Sequence, residues 1–317
     1  MIVTLTPSPS LDRTLELPRL DLGEVNRAVT EHLHPGGKGV NVTRALTAHG
    51  VSSRAVLPVG GPDGERIAGL LAAQGIPAHP VRVDGGTRSN LTLAESDGRT
   101  TKVNSPGAAL SEVEVDALLE VVRSELLPDA RALVIAGSLP AGQSIDLLTR
   151  AIDLAVDAEV PVVVDTSGAP LTAAVAHGGL ALIKPNDEEL AELVGAELRT
   201  VGDVQRAARE VIAGGVGAVL VSLGRHGALL VRADGSWWAG GPALVPLSTV
   251  GAGDCTLAGY LAAADDPDPT VRLTRSVTWG RAAVLLPGSA VPGPADIHPH
   301  EVAVVVDPDP TTALKEL

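Results

Sequence analysis

Residues 248–255, Ser-Thr-Val-Gly-Ala-Gly-Asp-Cys, place a glycine-rich turn and a carboxylate before an apolar stretch with helical character. Gly251 and Gly253 permit positive φ angles and a close approach of the backbone to a ligand. The N–H groups of residues 251–254 would form an anion-binding corner at the start of a helix. Asp254 could then take a proton from a hydroxyl while the corner holds a phosphoryl group. The alternative is a tight turn in which Asp254 caps the helix.

A second glycine-rich stretch, Gly36-Gly-Lys-Gly-Val-Asn41, stands before a helical segment that Gly50 follows. Its spacing does not match the Walker A phosphate loop. Glycines at a helix start, combined with Lys38 and an amide, nevertheless predict a site for a polyhydroxylated or phosphorylated ligand. Asn41 would lie on the first helical turn, where it can bond sugar hydroxyls. The alternative is a flexible loop with a solvated lysine.

Strand and helix patterns alternate along most of the chain. Apolar runs typical of buried parallel strands occupy residues 2–6, 54–60, 132–136, 161–165, 180–183 and 218–222. Helical patterns occupy residues 63–75, 112–125, 144–159, 187–194 and 203–213. This alternation predicts an α/β fold with a doubly wound, mostly parallel sheet flanked by helices. In such sheets, ligands bind beyond the carboxyl ends of the strands.

Polar residues follow several of the predicted strands. Asp12 comes shortly after the first strand, although a turn aspartate would look the same, and Ser138 follows the run 132–136. Asn186 and Glu189 can share one helical face and could hold the water shell of a Mg²⁺ ion. Their alternative is a capping box at the start of the helix. The stretch 222–227 could bind phosphates through its backbone N–H groups, or it could be a simple β-turn.

Two segments interrupt the alternation of strands and helices. Residues 14–34 alternate between apolar and polar types, and residues 87–104 form a predicted hairpin around the turn signal Asp97-Gly98. We predict one domain over residues 1–317, with a small β-sheet lid formed by about 12–34 and 87–104. An ordinary surface excursion is the alternative.

Composition excludes several classes of function. The net charge of −14 over 317 residues disfavours nucleic acids and anionic membranes as partners. The chain has no Phe and one Tyr, so platforms for stacking nucleic-acid bases are absent. No apolar run is as long as a membrane span. The first ten residues do not resemble a signal peptide, and the single Cys255 suits a reducing compartment, so we expect a cytoplasmic protein.

Four motifs together resemble a known family, and they occur in its order along nearly the whole chain. They are Gly36-Gly-Lys-Gly-Val-Asn41, Lys184-Pro-Asn186-x-x-Glu189, Ser222-Leu-Gly-x-x-Gly227 and Gly251-Ala-Gly-Asp254. The chain is identified on these motifs as similar to the ribokinase-like, or PfkB, carbohydrate kinases. The opening Thr6-Pro-Ser-Pro-Ser-Leu-Asp12, the pair Asn26-Arg27 and residues 248–254 are most similar to the 1-phosphofructokinase branch.

The resemblance implies a role for each matching position. Asp254 matches the catalytic base, and Gly251, Ala252 and Gly253 match the anion hole for the transferred phosphoryl group. The positions that bind the sugar in the family match Asp12, Gly36, Gly37, Lys38, Asn41 and Ser138. Arg88 matches a residue that binds the phosphate of the substrate. Arg27 matches a residue that reaches a sugar phosphate from a partner subunit. Nucleotide positions match Lys184, Asn186, Ser222, Gly224, Gly227 and Gly253, and Mg²⁺ positions match Asn186 and Glu189, acting through water.

The same resemblance implies an ATP- and Mg²⁺-dependent kinase that forms a homodimer through its lid. Its expected reaction converts fructose 1-phosphate to fructose 1,6-bisphosphate. The alternatives are a tagatose-6-phosphate kinase or a 6-phosphofructokinase of the same family, followed by a non-catalytic sugar-phosphate sensor. The sequence departs from the family at Cys255, where many relatives have Ser. Because this thiol lies at a helix start, its pKa could be lowered and it could be open to oxidation.

Overall fold

The computed structural model describes residues 1–126, 129–140, 142 and 145–317. Within them, short and mostly β-branched runs form the strands of two sheets. The strands are β1 (Ile2–Leu5), β2 (Ser10–Leu17), β3 (Thr30–Gly36), β4 (Ser53–Val59), β5 (Ala78–Arg82), β6 (Arg88–Glu95), β7 (Thr100–Asn104), β8 (Ala132–Ala136), β9 (Val162–Asp165), β10 (Leu180–Ile183), β11 (Ala218–Ser222), β12 (Ala228–Arg232), β13 (Gly235–Gly240) and β14 (Ala303–Val306).

The larger sheet has the order β14-β13-β12-β11-β10-β9-β8-β1-β4-β5 in the described part of the chain. Neighbours from β11 to β5 run parallel, whereas β12, β13 and β14 add antiparallel pairs at one edge. The chain leaves β1 towards β4 and β5, then returns to β8 on the other side of β1. The strand order therefore reverses at β1, and the carboxyl ends of β1 and β8 border the crevice where ligands bind in such sheets.

Helices cover both faces of this sheet. They are α1 (Lys38–Ala48), α2 (Gly61–Ala73), α3 (Glu112–Leu126), α4 (Asp146–Asp157), α5 (Ala169–His177), α6 (Asp187–Val194), α7 (Val201–Ala213), α8 (Ala252–Ala262) and α9 (Pro269–Val284). Alternate strand residues point to opposite faces, so Ile135 packs among α3 to α7 while Val134 packs among α1, α8 and α9. These findings confirm the predicted α/β fold with a mostly parallel sheet.

A separate small sheet has the order β3-β2-β6-β7. β2 pairs antiparallel with β3 and parallel with β6, and β6 and β7 form the predicted hairpin, with Gly98 at φ 89° in its turn. Arg13 on β2 donates to Asp63 on α2 at 2.9 Å, and Ser89 on β6 donates to the other oxygen of Asp63 at 2.6 Å. The small sheet is therefore joined to the body by hydrogen bonds through the first turn of α2.

Several elements differ from the sequence prediction. The strand β5, the helix α5 and the edge strand β14 were not predicted. The helices α1 and α8 begin at Lys38 and Ala252, directly after their glycine turns. The predicted helix over 144–159 is α4 (Asp146–Asp157), and Ser144 lies outside the described residues. Among the residues that are described, no helix has the length and apolar character needed to cross a membrane.

Candidate active site

A cavity of about 480 Å³ opens beyond the carboxyl ends of β1, β8, β9 and β10, beside the small sheet. Its walls come from eight segments that are separate in the sequence. The predicted site residues among its lining are Asp12, Gly37, Lys38, Asn41, Arg88, Ser138, Lys184, Asn186, Glu189, Ser222, Gly251, Gly253 and Asp254. The structure thus brings most of the predicted sugar, nucleotide and catalytic positions together in one cleft.

The other predicted positions lie outside this lining. Gly36 is packed against the Asp12 carboxylate, and Ala252 is the first residue of α8. Gly224 begins a 3₁₀ turn, and Gly227 approaches the Ala239 carbonyl so closely that a Cβ atom would overlap it. Arg27 is exposed on the connection between β2 and β3, so this protomer does not bring it into its own cavity.

The amino-terminal end of α8 points its backbone at the cavity. Gly251, at φ 78°, is the residue before the helix, a left-handed conformation that favours glycine. The Ala252 N–H makes a long bond of 3.4 Å to the Thr249 carbonyl. Within the described residues, the N–H groups of Gly253 and Asp254 have no acceptor, so the corner keeps free donors for an anion.

Asp254 lies in the first turn of α8 and is 6% exposed. Its alternative role as a helix cap was wrong, because Gly251 occupies the cap position and no side chain caps this helix. Instead, Asp254 Oδ2 accepts a hydrogen bond of 2.8 Å from Asn41 Nδ2 on α1. Burial, and then the negative charge of Asp165, raise the pKa of Asp254 to about 6, while Asn41 and two lysines oppose this shift.

Asp165 is a buried carboxylate at the end of β9 that both site lysines contact. Lys38 Nζ donates to its Oδ1 at 2.8 Å. Lys184 Nζ lies 3.1 Å from Oδ2, an ion pair without hydrogen-bond geometry. Burial opposes ionisation of Asp165, but the two lysines outweigh it and hold its pKa below the usual range. The same carboxylate outweighs burial at Lys38 and raises the pKa of that ammonium.

This cluster gives the cleft fixed positive charge beside the α8 corner. A Cβ atom built on Gly253 would lie 3.4 Å from Lys184 Nζ, so the ammonium lies directly over the start of the helix. The sequence motifs predict no role for Asp165. Its one available signal was an acidic residue at the end of a predicted strand, which is where site residues collect in such sheets.

Four polar residues on β2 and β6 of the small sheet form the opposite wall. Asn90 Nδ2 donates to Ser10 Oγ and to Asp12 Oδ1, both at 3.0 Å, and Arg88 Nη1 donates to Asn90 Oδ1 at 3.0 Å. Burial raises the pKa of Asp12, against the hydrogen bonds from Ser10 and Asn90. The network fixes a carboxylate and a guanidinium on one wall, although the sequence analysis had singled out only Asp12 and Arg88.

Close packing against the end of β1 requires glycines at the start of α1. Gly37 has φ 117°, and a Cβ atom there would lie 2.6 Å from Thr6 Cγ2 at the end of β1. A Cβ atom on Gly39 would lie 2.5 Å from Thr6 Oγ1. The absence of side chains therefore lets α1 begin directly against the strand end, which brings Lys38 and Asn41 to the cleft.

Asn186 and Glu189 form the capping box that was the alternative to a metal site. Asn186 Oδ1 accepts from the Glu189 N–H at 2.7 Å, and Glu189 Oε2 accepts from the Asn186 N–H at 2.9 Å. Within the described residues, Glu189 Oε1 accepts no hydrogen bond, and both side chains line the cavity. One free carboxylate oxygen in a wet cleft fits a Mg²⁺ ion that keeps most of its waters.

Ser222 and the turn after it lie beside Asn186. The Ser222 N–H donates to the Pro185 carbonyl at 3.0 Å, and the two segments form a short parallel bridge. Gly224–His226 form a 3₁₀ turn, so the alternative of a simple β-turn was close to the observed geometry.

Cys255 does not have the environment of a reactive thiol. It is 1% exposed on the buried side of α8. Burial and the charge of Asp254 raise its pKa to about 12, although Arg44 opposes the shift. The expectation of a lowered pKa and of oxidation at this thiol was therefore wrong.

Comparison with known proteins defines the class to which this fold and cleft belong. The pfkB family carbohydrate kinase domain matches residues 9–289, and the chain belongs to this family. It is 38% identical over 291 residues to the ATP-dependent 6-phosphofructokinase isozyme 2 of Escherichia coli, covering 91% of this chain and 94% of the relative. It is also 38% identical over 268 residues to a 1-phosphofructokinase of Xanthomonas campestris, covering 82% and 83%.

Solved structures agree with this assignment. The crystal structure of Escherichia coli phosphofructokinase-2 in complex with substrates and products superposes with a TM-score of 0.88. The two chains are 37% identical, and the match covers 93% of this chain and 96% of the other. The protein is accordingly a kinase, a phosphotransferase with an alcohol acceptor, and its relatives support a sugar phosphate as the substrate class.

Proposed function

We propose that the protein transfers the γ-phosphoryl group of ATP to a hydroxyl of fructose 1-phosphate, forming fructose 1,6-bisphosphate and ADP. One observation carries the proposal: a buried carboxylate, Asp254, lies between a helix start with free N–H groups and a wall that displays Arg88. A base beside an anion corner, facing a cation suited to a substrate phosphate, is the arrangement this transfer needs.

Asp254 acts as the general base. Its Oδ2 is held by Asn41, whereas Oδ1 accepts no hydrogen bond within the described part of the chain. The acceptor hydroxyl donates to Oδ1 and transfers its proton there as the oxygen attacks phosphorus. With a pKa of about 6, the carboxylate is ionised near neutral pH and remains basic enough to take the proton.

The backbone corner at Gly251, Ala252 and Gly253 stabilises the charge on the transferred group. The free N–H groups at the start of α8 would donate to the phosphoryl oxygens. Lys184 adds a point charge beside them, and Lys38 lies on the other side of Asp165. Mg²⁺ held through water at Asn186 and Glu189 would neutralise the phosphate charge of ATP.

Arg88 and Arg27 select a phosphorylated sugar. Arg88 lies on the wall of the cleft, where its guanidinium can grip a phosphate in two-pronged geometry. Asp12 and Asn41 line the same cleft, where they would bond the sugar hydroxyls. Arg27 is exposed and is not part of the lining of its own cavity, which suits a contribution to the cleft of a partner subunit in a lid-mediated homodimer.

The small sheet would serve as a lid on a single domain of residues 1–317, and closure would exclude water that competes with the sugar hydroxyl. A cytoplasmic location agrees with a single buried cysteine.

The alternative substrates are fructose 6-phosphate and tagatose 6-phosphate, because the 6-phosphofructokinase relative is as similar to this chain as the 1-phosphofructokinase. The intact Asp254 argues against a non-catalytic sensor, which needs no base.

A coupled ADP-release assay with Mg-ATP tests the proposal. It compares kcat/KM for fructose 1-phosphate, fructose 6-phosphate, tagatose 6-phosphate and free fructose, because this ratio measures specificity. We expect a preference of at least about tenfold for fructose 1-phosphate. A preference for a 6-phosphate would contradict the substrate while keeping the base, and no turnover on any of the four would contradict the proposed function.

A further inference from the structure

Arg44 is a buried cation on α1 that has no role in the site described above. It is 6% exposed and lies three residues after Asn41, on the same side of the helix. Its Nη1 donates to Asn41 Oδ1 at 3.2 Å and to the Ser289 carbonyl at 2.9 Å. It therefore joins the base-binding amide to the segment that follows α9.

The environment of this guanidinium is costly. A charge removed from water is normally paired with an opposite charge. Within the described residues, Arg44 makes no salt bridge, and its hydrogen bonds go to an amide oxygen and a backbone carbonyl. Burial lowers its pKa, against the attraction of Cys255 and Asp12. The guanidinium is therefore held by neutral acceptors. One of them, the side-chain amide of Asn41, also donates to Asp254.

That amide has two ends with opposite chemistry. Its oxygen accepts from Arg44, so its NH₂ group must face Asp254 and donate to Oδ2. The reversed amide would point an oxygen at the carboxylate and an NH₂ group at the guanidinium, and both contacts would repel. An arginine offers only donors, so Arg44 adds a second contact that opposes the reversed amide; without it, only the contact with Asp254 would oppose that orientation.

We propose that Arg44 is a positioning residue for phosphoryl transfer. By fixing the orientation of the Asn41 amide, it fixes Oδ2 of Asp254 and leaves Oδ1 directed at the acceptor hydroxyl. The Ser289 carbonyl holds the guanidinium in place from the other side. This inference rests on the proposed function, because it assumes that Asp254 is the base.

The charged groups acting on Asp254 come from several elements. They are Lys38 on α1, Asp165 at the end of β9 and Lys184 after β10. From α9, Arg272 lies over the Tyr260 ring, and Arg275 and Arg281 donate to the carbonyls of Ala262 and Pro242. Replacing Arg44 alters none of these side chains but removes its own positive charge, so the Asn41 contact is separated from that charge in the Asn41→Ala background, where Arg44→Met should move the acidic limb no further.

The test compares Arg44→Met, Asn41→Ala and the double variant. Met keeps most of the buried volume but donates no hydrogen bond. We expect Arg44→Met to lower kcat by roughly tenfold or more, with the KM for ATP within about twofold of wild type. The acidic limb of its kcat profile should move to higher pH, because the bond that favours ionised Asp254 is weakened. The double variant should lose no more kcat than Asn41→Ala alone, since both act through one contact.

Two further variants separate positioning from stability. Arg44→Lys keeps a charge and should recover part of the lost kcat. Arg54→Met breaks the ion pair with Glu125, at the opposite end of the strands, and should lower stability without moving the acidic limb. A wild-type kcat and acidic limb in Arg44→Met, or additive losses in the double variant, would overturn the inference. Failure of both Arg44→Met and Arg44→Lys to fold would likewise make the role structural and overturn it.

Asp254→Asn separates a failure of the proposed function from a failure of the role proposed for Arg44. If Asp254→Asn keeps its turnover, the proposed function fails, and the inference fails with it. If Asp254→Asn is inactive while Arg44→Met behaves as wild type, only the inference on Arg44 fails.

Discussion

At the scale of single residues, Asp254 is held in surroundings that oppose its ionisation. Burial and the charge of Asp165 raise its pKa from 3.8 to about 6. The folded protein therefore binds the proton more tightly than the unfolded chain does. Between these two values the native state loses stability as the pH rises, and above about pH 6 the full cost of the ionised carboxylate remains. Reactivity and stability are thus opposed at this residue.

Asp254→Asn should show both sides of this opposition. We expect turnover to be largely abolished, because the amide cannot take a proton, with ATP affinity almost unchanged. Above pH 6 the variant should be more stable than wild type by up to about 3 kcal/mol, a two-unit pKa shift at about 1.4 kcal/mol per unit. Below pH 4 the gain should vanish, because wild-type Asp254 is then protonated in both states. Denaturant unfolding at pH 4 and pH 8 measures the stability difference between the variant and wild type, and an ADP-release assay measures turnover. A stability difference that is equal at both pH values would contradict the pKa shift.

Sequence reasoning found those site residues that stand in glycine-rich or strand-end motifs. Lys38, Asn41 and Asp254 stood out because their neighbours are unusual. Asp165 and Arg44 did not, because their roles depend on contacts with partners 127 and 245 residues away along the chain. Only the folded chain brings such partners together, so these two roles could not be predicted from local spacing.

At the scale of elements, the start of α8 controls the space in which the phosphoryl group would lie. Gly253 has ordinary helical geometry, and a methyl group there would only touch the Lys184 ammonium. The glycine is therefore not needed for folding. A side chain at position 253 would instead fill the anion corner between the free N–H groups of α8 and Lys184.

Gly253→Ala should consequently raise stability and lower activity. Alanine favours a helix over glycine by roughly 0.5–1 kcal/mol, while its methyl group would occupy the anion corner and reduce kcat by about tenfold or more. The matched control is Gly69→Ala in α2, where a Cβ atom meets nothing within 4 Å. It should be stabilised in the same way with unchanged kcat. Thermal unfolding measures the stability of both variants, and steady-state kinetics measures their kcat. Full activity in Gly253→Ala would contradict a role of the anion corner in phosphoryl transfer.

The elements that sequence reasoning missed share a physical reason. The buried strands β8 to β11 were predicted because strands covered on both faces are continuous apolar runs. β5, Ala-His-Pro-Val-Arg, lies at the edge of the sheet and lacks such a run. α5 is a nine-residue helix between glycines, and β14 is a four-residue edge strand whose partner is distant in sequence. Short edge elements depend on tertiary pairing more than on their own pattern.

At the scale of the whole molecule, several large apolar side chains remain exposed on the small sheet and its β2–β3 connection. Leu22, Val25 and Val29 on the β2–β3 connection are 87%, 79% and 74% exposed, and Val103 on β7 is 54% exposed. Exposed apolar side chains of this kind suit the interface of the proposed homodimer. Arg27 stands in the middle of this segment, so a second copy docked here would receive both the apolar contacts and the cation.

We expect Leu22→Asp combined with Val25→Asp to convert a dimer into a monomer, because two buried charges would disrupt the interface. The KM for the sugar phosphate should rise at the same time, through loss of the partner's Arg27. Val113→Asp on α3 is the control, since Val113 is 77% exposed but lies on a different part of the surface. Light scattering after size-exclusion chromatography gives the mass. A wild-type monomer, or an unchanged mass in the double variant, would contradict a dimer formed through the lid.

The stack between His49 and Trp279 gives the molecule an optical reporter of its own. The two rings are 3.8 Å apart and 21° from parallel, and they join the end of α1 to the middle of α9. The chain has three tryptophans, and the other two, Trp237 and Trp238, are neighbours on β13. Replacing that pair leaves a single indole whose emission is sensitive to the imidazole against it. Movement of the helix that carries Asn41 and Arg44 can then be followed by fluorescence, without attaching any dye.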